Sequence, residues 1–203
     1  MDIDVHPATA DRWPDLEMLF GQNGACGGCW CMFWRLKRSD YKQLQGEGTK
    51  AVLRDLTLKN EIPGMLAYVD GQAVGWISIG PRQQYLALEN SRILKRLDDQ
   101  PVWSIVCFFT KKNFRRQGIM LALVKGAVHY ALEHQAQIIE AYPIDMQSPK
   151  LAGQRLSGSS GYMGLASVFR QAGFVEVARA SETQLMMRYI CPQCPGLPPV
   201  DSD

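Results

Sequence analysis

The sequence predicts an α/β fold in which helices flank a central twisted sheet of mixed parallel and antiparallel strands. Strand-like and helix-like segments alternate along most of the 203 residues. The almost unbroken apolar run from Val102 to Thr110 is typical of a central strand that is buried on both faces. A hairpin signal at Asp70-Gly71 precedes this run, and a long helix beginning at Gly118 follows it. Together these observations place a mixed sheet at the centre of the fold.

Composition and charge limit the class of protein. Hydrophobic residues make up 46% and charged residues 21%, which excludes a disordered, collagen-like or coiled-coil chain. The formal net charge is only +2 and no basic stripe is present, so no nucleic-acid partner is expected. The apolar runs are too short to span a bilayer, and residues 1–20 do not have the pattern of a signal peptide. We therefore expect a cytoplasmic protein without a membrane partner.

The N-terminal part is predicted as a strand, a helix, a loop and a second helix. Asp2 to Val5 is a short strand candidate, and Thr9 to Phe20 is a helix capped by its first residue. Gly21 to Trp34 is rich in glycine, cysteine and tryptophan and predicts a structured loop. Thr49 to Asn60 carries apolar residues at helical spacing, which predicts the second helix.

A hairpin, a short helix and the central strand are expected next. Met65 to Val69 and Ala73 to Ile79 are strand-like runs. They are joined through Asp70-Gly71, a pair that adopts the positive φ angles of a tight turn at little cost. Glu89 to Leu97 is predicted as a short helix, and Val102 to Thr110 is the buried strand.

The C-terminal part completes the alternation. Gly118 to His134 predicts a long helix, and Ile138 to Tyr142 predicts the next strand, which Pro143 stops. Two further segments are expected before the end of the fold, a helix and an antiparallel strand pair: Tyr162 to Ala172, then Phe174 to Val177 with Leu185 to Ile190. We expect a single domain over residues 1–190 and a proline-rich, cysteine-containing tail over residues 191–203.

The most informative stretch lies where the buried strand is followed by a basic loop and the long helix. Free N–H groups at the start of a helix, together with the positive end of its dipole, favour a pyrophosphate. Gly118 lets a phosphate approach the backbone, while Lys112, Arg115 and Arg116 add positive charge. A P-loop and a dinucleotide-binding glycine pattern are both absent. The sequence therefore predicts an anion site of a different kind at this helix start.

The pattern Arg115-x-x-Gly118 directly after a strand resembles the coenzyme signature of the GNAT family of N-acetyltransferases. That signature is Arg/Gln-x-x-Gly-x-Gly/Ala, and Met120 replaces the small residue at its last position. The resemblance covers residues 2–190, because the order of elements and the hairpin also fit. It is similar to a bacterial branch of the family with two further motifs, here Trp30-Cys31-Met32 and Glu140-Ala141-Tyr142-Pro143.

The resemblance implies the GNAT-type acyl-CoA N-acyltransferase fold and an acetyl-CoA-dependent N-acetyltransferase. An amine of a small molecule or peptide would attack the thioester directly. Acetyl-CoA, as co-substrate, would lie between the two central parallel strands. The implied coenzyme-binding residues belong to the strand end, the loop and the helix start: Phe108, Phe109, Thr110, Arg115, Arg116, Gln117, Gly118, Ile119 and Met120.

The acid and base of the reaction are less clear from the sequence. The usual acid of the family is a tyrosine four residues before a Gly-Phe pair, and Phe169 occupies that position here. Tyr162 lies two turns earlier on the predicted helix and is the candidate acid, with a packing role as the alternative. Glu140 and Asp145 flank the end of the second central strand and are candidate bases, Glu140 being preferred. Either carboxylate could instead be a surface or capping residue.

Aromatic residues are the candidates for the acceptor pocket. In the family the loop between the first two helices covers the acceptor end of the cleft, which here is the loop over residues 21–34. Trp30, Phe33 and Trp34 are then expected to be walls of the acceptor pocket, with Tyr142 at the adjoining strand end. Plain core packing is the alternative for these aromatic side chains.

The six cysteines are clustered. Cys26 with Cys29, and Cys191 with Cys194, form two C-x-x-C pairs that could share a zinc ion or form a reversible disulfide. Cys31 is compatible with a simple hydrophobic loop, and Cys107 is interpreted as a buried apolar thiol. A chain of this length buries enough surface to fold unaided, so no metal is expected.

Two alternatives from other classes stay open. The missing tyrosine at Phe169 allows a catalytically weak acyl-CoA-binding sensor, and the cysteine pairs allow a zinc- or redox-regulated interaction protein. The sequence does not identify the acceptor or the oligomeric state, and a homodimer is left open.

Overall fold

The computed structural model describes residues 1–154 and 161–192, and a seven-stranded sheet lies at its centre. The strands are β1 (Asp4–Pro7), β2 (Gly64–Val69), β3 (Gln72–Pro81), β4 (Val102–Thr110), β5 (Ile138–Ala141), β6 (Val175–Ser181) and β7 (Gln184–Ile190). Their order across the sheet is β1-β2-β3-β4-β5-β7-β6. Only β4 and β5 pair in parallel, and every other neighbouring pair is antiparallel. The predicted mixed sheet is confirmed.

Helices cover both faces of this sheet, as predicted. The helices in the described residues are α1 (Trp13–Phe20), α2 (Arg38–Leu44), α3 (Glu47–Leu58), α4 (Leu86–Glu89), α5 (Ile119–Glu133) and α6 (Ala166–Gln171). Helix α5 buries its apolar side chains on one face, with Leu123 and Val124 fully inaccessible. On the other face, α1 and the loop after it form an aromatic core around Trp76. None of the helices in these ranges has the length and apolarity needed to cross a bilayer.

The hairpin between β2 and β3 forms as the sequence predicts. Asp70 and Gly71 have φ angles of 49° and 74°, and they connect the paired residues Val69 and Gln72. Positive φ at both central positions gives a turn whose twist matches that of the flanking strands. The local sequence alone therefore determines this part of the fold.

The helix predicted from Thr9 begins at Trp13, after a 3₁₀ turn over Ala10–Arg12 that the Thr9 side chain does not cap. Two other predicted helices also have different bounds in the structure. The helix expected over Glu89 to Leu97 is wrong, because α4 ends at Glu89. The Ser91 hydroxyl accepts the backbone N–H of Leu94 at 3.0 Å, and the Leu94 carbonyl accepts from Arg82 at 2.7 Å. These contacts offer the backbone an alternative to helical bonding.

The other difference concerns the helix expected from Tyr162, which begins only at Ala166. The Tyr162 carbonyl accepts the N–H of Phe108 on β4, and Gly164 has a φ of 89°. A left-handed residue followed by an extended one does not continue a helix. Tyr162 therefore does not lie on a helix face, contrary to the prediction.

Helix α2 is absent from the sequence prediction. Its seven residues are mostly polar and none is buried, so the segment carries no apolar stripe from which a helix could be inferred.

Candidate active site

Strands β4 and β5 separate part-way along their length. Their pairing covers only Val102–Ile105 with Ile138–Ala141. Beyond Ile105 the register of β4 on β3 shifts, and Val106 is left as an extra residue between two paired positions. A bulge bends its strand, so the second half of β4 diverges from β5. The sheet is therefore splayed at the residues for which coenzyme contacts are predicted.

A short piece of chain lies at this opening. The backbone N–H of Phe108 donates to the Tyr162 carbonyl at 2.6 Å. Ile144, just beyond β5, donates its N–H to the Gly164 carbonyl at 3.0 Å and forms a parallel bridge with Leu165. Residues 162–165 thus lie between β4 and the continuation of β5, and the chain itself supplies the acceptor for a β4 donor.

The loop that leaves β4 concentrates positive charge beside the start of α5. Lys112, Arg115 and Arg116 are all exposed, and none forms an ion pair with another residue in the described ranges. Gly118 precedes α5 with a φ of 84°, and no side chain caps the helix. The first N–H groups of α5 therefore lack a side-chain acceptor beside three free cations, which is the arrangement that binds phosphate groups.

A close approach fixes the start of α5 against the sheet. A Cβ added to Gly75 on β3 would lie 2.6 Å from Cγ2 of Ile119, the first residue of the helix. Only glycine at this position lets the helix start come so near to the strand next to β4. The start of α5 therefore packs directly on the strand beside β4.

Glu140, the preferred base in the sequence analysis, lies in the core. Its side chain is 1% exposed. Oε1 accepts from Arg82 Nη1 at 3.0 Å and from the Tyr142 phenol at 2.7 Å, and Oε2 accepts from Arg188 Nε at 2.8 Å. Both oxygens are engaged and neither reaches a surface. Glu140 therefore belongs to a buried ion network, which leaves neither oxygen free for an incoming amine in this structure.

Tyr142 belongs to the same network and does not line a pocket. It is fully buried, and its phenol also contacts Arg82 Nη1 at 2.6 Å and the Ser104 hydroxyl at 2.9 Å. Burial, reinforced by the charge of Glu140, raises the pKa of this phenol well above its usual range. Its predicted place in the acceptor pocket is wrong.

Asp145, the other candidate base, terminates the strand region. It is 4% exposed, and its carboxylate accepts from the Gln147 N–H at 3.1 Å and from Arg179 at 3.3 Å. These are the contacts of a capping residue with an ion-pair partner, which was the alternative reading of this side chain.

Trp30 also packs in the core. It is 3% exposed, stacks on Trp13 with ring centroids 6.0 Å apart, and meets the edge of Phe20 at 5.5 Å. Gly24 has space only for a hydrogen atom, because a Cβ there would overlap the Trp30 indole. The predicted pocket wall at this position is therefore wrong, and the alternative of core packing holds.

Phe33 and Trp34 remain candidates for the acceptor wall. Phe33 is half-buried, and its ring meets that of Trp34 edge-on with centroids 5.2 Å apart. The exposed guanidinium of Arg38 lies 3.6 Å above the Phe33 ring. These side chains form an aromatic surface that is open at Phe33, because Trp34 is only 8% exposed.

Tyr162 lies between this aromatic surface and β4. Its side chain is half-buried, and burial raises the pKa of its phenol, an effect that the nearby Trp34 indole partly opposes. The phenol therefore stays protonated through the neutral range and can donate a proton. Phe169, at the position of the family's usual tyrosine, is fully buried against Phe108 with ring centroids 5.9 Å apart.

Three cysteines meet where the loop after α1 contacts β4. The Sγ atoms of Cys31 and Cys107 are 3.0 Å apart, and both side chains are buried. Cys29 is partly exposed, and a hydrogen bond from the Cys31 thiol lowers the pKa of Cys29 to about 6. Burial raises the pKa of Cys31 well above its usual range. The sequence motifs paired other cysteines, and nothing in the apolar run around Cys107 indicated this contact.

The alternative of a zinc ion shared by the two C-x-x-C pairs includes Cys194, which lies outside the described residues. Within those residues, no group of three or more His, Cys, Asp or Glu side chains is arranged to hold a metal ion.

We expect Cys29 to be alkylated by iodoacetamide at a rate that rises through pH 6, because the thiolate is the nucleophile and forms above the pKa. The measurement is the site-resolved alkylation rate between pH 5 and pH 9, roughly the range in which cysteines titrate. A Cys29→Ser variant identifies the signal. A rate that rises only above about pH 8, as for an ordinary cysteine, would contradict the expectation.

Comparisons with known proteins agree with this geometry. The family described as "Acetyltransferase (GNAT) family" matches residues 30–153. No curated protein sequence matches the chain significantly.

Solved structures show the same fold at low sequence identity. The ribosomal-protein-alanine N-acetyltransferase from Brucella melitensis is 18% identical, with a TM-score of 0.51, over 93% of this chain and 99% of that one. The PaiA N-acetyltransferase from Thermoplasma acidophilum, solved in complex with coenzyme A, is 11% identical, with a TM-score of 0.52, over 94% of this chain and 100% of that one. The family match spans more than half of the chain and includes the splayed strands, the basic loop and α5. The chain belongs to the GNAT family of acetyltransferases.

Proposed function

We propose that the chain transfers an acetyl group from acetyl-CoA to the amine of a small molecule or peptide by direct attack of the amine on the thioester. One observation carries the proposal: the splay of β4 from β5 continues directly into an uncapped helix start flanked by three free cations. This unit offers backbone groups to an extended ligand and a positive field to its phosphates. The proposal treats residues 1–190 as one catalytic domain in the cytoplasm.

Different residues of the chain would bind different parts of the coenzyme. The N–H groups at Gly118, Ile119 and Met120 would hold the pyrophosphate, with Arg115, Arg116 and Gln117 around it. The backbone of Phe108, Phe109 and Thr110 would hold the extended arm. The N–H of Phe108 would then bind the thioester oxygen and stabilise the negative charge that develops on it.

Tyr162 is the proposed acid. The amine nitrogen forms a bond to the thioester carbon, the C–S bond breaks, and the sulfur leaves as a thiolate that the Tyr162 phenol protonates. Glu140 and Asp145 are both engaged in buried contacts, so the proton of the amine passes to water rather than to either carboxylate.

The acceptor would approach from the side of Phe33, which is partly exposed and packs on the buried Trp34 beside Tyr162. Flat faces of this kind suit an apolar or cationic group. The Brucella neighbour is by name an N-acetyltransferase of a ribosomal-protein alanine, so a peptide α-amine is one acceptor class to test.

A second candidate function is an acyl-CoA sensor without turnover. Phe169 replaces the usual acid, and the Tyr162 carbonyl occupies the Phe108 N–H in the structure. Release of coenzyme A in the presence of a panel of amines distinguishes the two, because a sensor binds acetyl-CoA and releases none.

Acetyl-CoA is expected to raise the melting temperature, since a ligand present at a hundred times its Kd stabilises the native state by about 2.7 kcal/mol. Arg115→Glu should weaken binding by about tenfold or more, the loss of one charge-assisted contact, with little effect on the fold because the side chain is exposed. Isothermal titration calorimetry measures the Kd.

The matched control is Arg54→Glu, which reverses an exposed charge on α3 away from the loop and should leave the Kd unchanged. Absence of any thermal shift at millimolar acetyl-CoA, or equal losses in the two variants, would contradict the proposed coenzyme site.

A further inference from the structure

The contact between Cys31 and Cys107 joins two parts of the chain that are distant in sequence. Cys31 belongs to the loop after α1 and Cys107 to β4, 76 positions later. Their Sγ atoms are 3.0 Å apart, about 1 Å longer than a disulfide bond. Neither cysteine takes part in the C-x-x-C motifs. The fold, and not the local sequence, creates this pair.

The Cys31–Cys107 pair is buried, whereas the neighbouring Cys29 is accessible to solvent. Cys31 and Cys107 are 3% and 8% exposed. Cys29 is partly exposed and lies two residues before Cys31 in the same loop. Cys31 has a left-handed φ of 54°, and the loop around it contains four glycines with positive φ: Gly21, Gly24, Gly27 and Gly28. The loop backbone thus brings an accessible thiol and a buried one side by side against β4.

We propose that Cys31 and Cys107 form a reversible disulfide and that hydrogen peroxide enters this site through Cys29. Cys29 is partly exposed with its pKa lowered to about 6, whereas Cys31 and Cys107 are both buried. This disulfide differs from one within either C-x-x-C pair.

The chemistry balances in three steps. The Cys29 thiolate attacks one peroxide oxygen, the O–O bond breaks, and Cys29 becomes a sulfenic acid while hydroxide leaves and takes up a proton as water. The Cys31 sulfur then attacks the Cys29 sulfur, the S–O bond breaks, and a second water carries away the Cys31 proton. The first product is a Cys29–Cys31 disulfide.

Thiol–disulfide exchange completes the sequence. The Cys107 sulfur, in contact with Cys31, attacks the Cys31 sulfur and loses its proton to solvent, and the Cys29–Cys31 bond breaks. Cys29 leaves as a thiolate, which is favoured because the thiol of lower pKa is the better leaving group. In total, two thiols are oxidised and one peroxide is reduced to two waters, with Cys29 regenerated.

The test treats the reduced full chain with hydrogen peroxide, blocks the remaining thiols with iodoacetamide, and maps the tryptic peptides by mass spectrometry. Cleavage after lysine and arginine places Cys26, Cys29 and Cys31 in the peptide 13–35 and Cys107 in the peptide 97–111. We expect these two peptides to be linked through Cys31, with Cys26 and Cys29 alkylated. Dithiothreitol should reverse the link.

Matched serine variants test the route. Cys29→Ser should slow formation of the link by about tenfold or more, because both remaining thiols are buried. Cys26→Ser removes an exposed cysteine of the same loop and should leave the rate unchanged. Cys107→Ser should stop the reaction at the Cys29–Cys31 disulfide. Linkage of Cys107 to Cys26 or Cys29, absence of any link to the peptide 97–111, or an unchanged rate in Cys29→Ser would overturn the proposal.

Discussion

Replacement of Arg82 by methionine is expected to lower the free energy of unfolding by about 3–5 kcal/mol, because it removes one partner from a buried ion network. Arg82 is 1% exposed and donates to Glu140 at 3.0 Å, to Glu89 at 2.7 Å and to the Leu94 carbonyl at 2.7 Å. Methionine fills the space but satisfies none of these acceptors. For a chain of this size the melting temperature should fall by roughly 6–20 °C.

Arg96→Met is the matched control, since Arg96 also pairs with Glu89 but is 37% exposed. Loss of such a surface pair costs at most about 1 kcal/mol. Thermal unfolding of both variants measures the difference, and a similar small shift in both would contradict a structural role for the network. Glu140→Gln extends the test, because a variant that melts normally but loses turnover would restore Glu140 as the base.

Replacement of Tyr162 by phenylalanine is expected to lower kcat by about 10²–10⁴-fold, the usual contribution of a general acid. The side-chain change leaves the carbonyl that accepts from Phe108 in place, so the local backbone is retained. The KM for acetyl-CoA should change little, because the phenol acts on the leaving sulfur and not on the phosphates. Steady-state kinetics with any accepted amine measures both constants.

Tyr41→Phe is the control for this variant, because Tyr41 packs on Phe33 in the same aromatic surface, with centroids 5.4 Å apart, and has no proposed role in proton transfer. Its kcat should stay close to that of the parent chain. An unchanged kcat in Tyr162→Phe would show that this tyrosine only packs, which the sequence left as an equal alternative.

The elements that the sequence predicts well are those determined by local chemistry. Asp70-Gly71 defines its turn through two positive φ angles, and the apolar run of β4 implies burial on both faces. The bounds that it misses depend on distant contacts. Helix α4 ends at Glu89 because Arg82 and Ser91 form hydrogen bonds with the backbone of Leu94. Helix α6 begins after its predicted start because the Tyr162 carbonyl is bonded to β4.

The candidate site also combines features that the local sequence determines with features that distant contacts determine. The basic loop and Gly118 lie within one short stretch of chain, so their proximity follows from the sequence. The burial of a side chain, in contrast, does not follow from the local sequence. In the sequence Glu140 and Tyr142 are typical polar residues at a strand end. Their burial depends on Arg188 from β7 and on Arg82, the residue after β3. From the sequence Trp30 could face a cleft or the core, and its packing against Trp13 and Phe20 places it in the core.

The hydrogen bond between the Phe108 N–H and the Tyr162 carbonyl has a kinetic consequence. If the thioester oxygen accepts this N–H, it replaces the Tyr162 carbonyl as the acceptor. The number of hydrogen bonds then stays the same, so this contact adds little affinity. Discrimination among acyl groups would then come from shape, and affinity from the phosphates. Residues 162–165 would have to move away from β4 before the thioester could bind the Phe108 N–H. The observed association rate should therefore reach a plateau at high acetyl-CoA concentration instead of rising linearly.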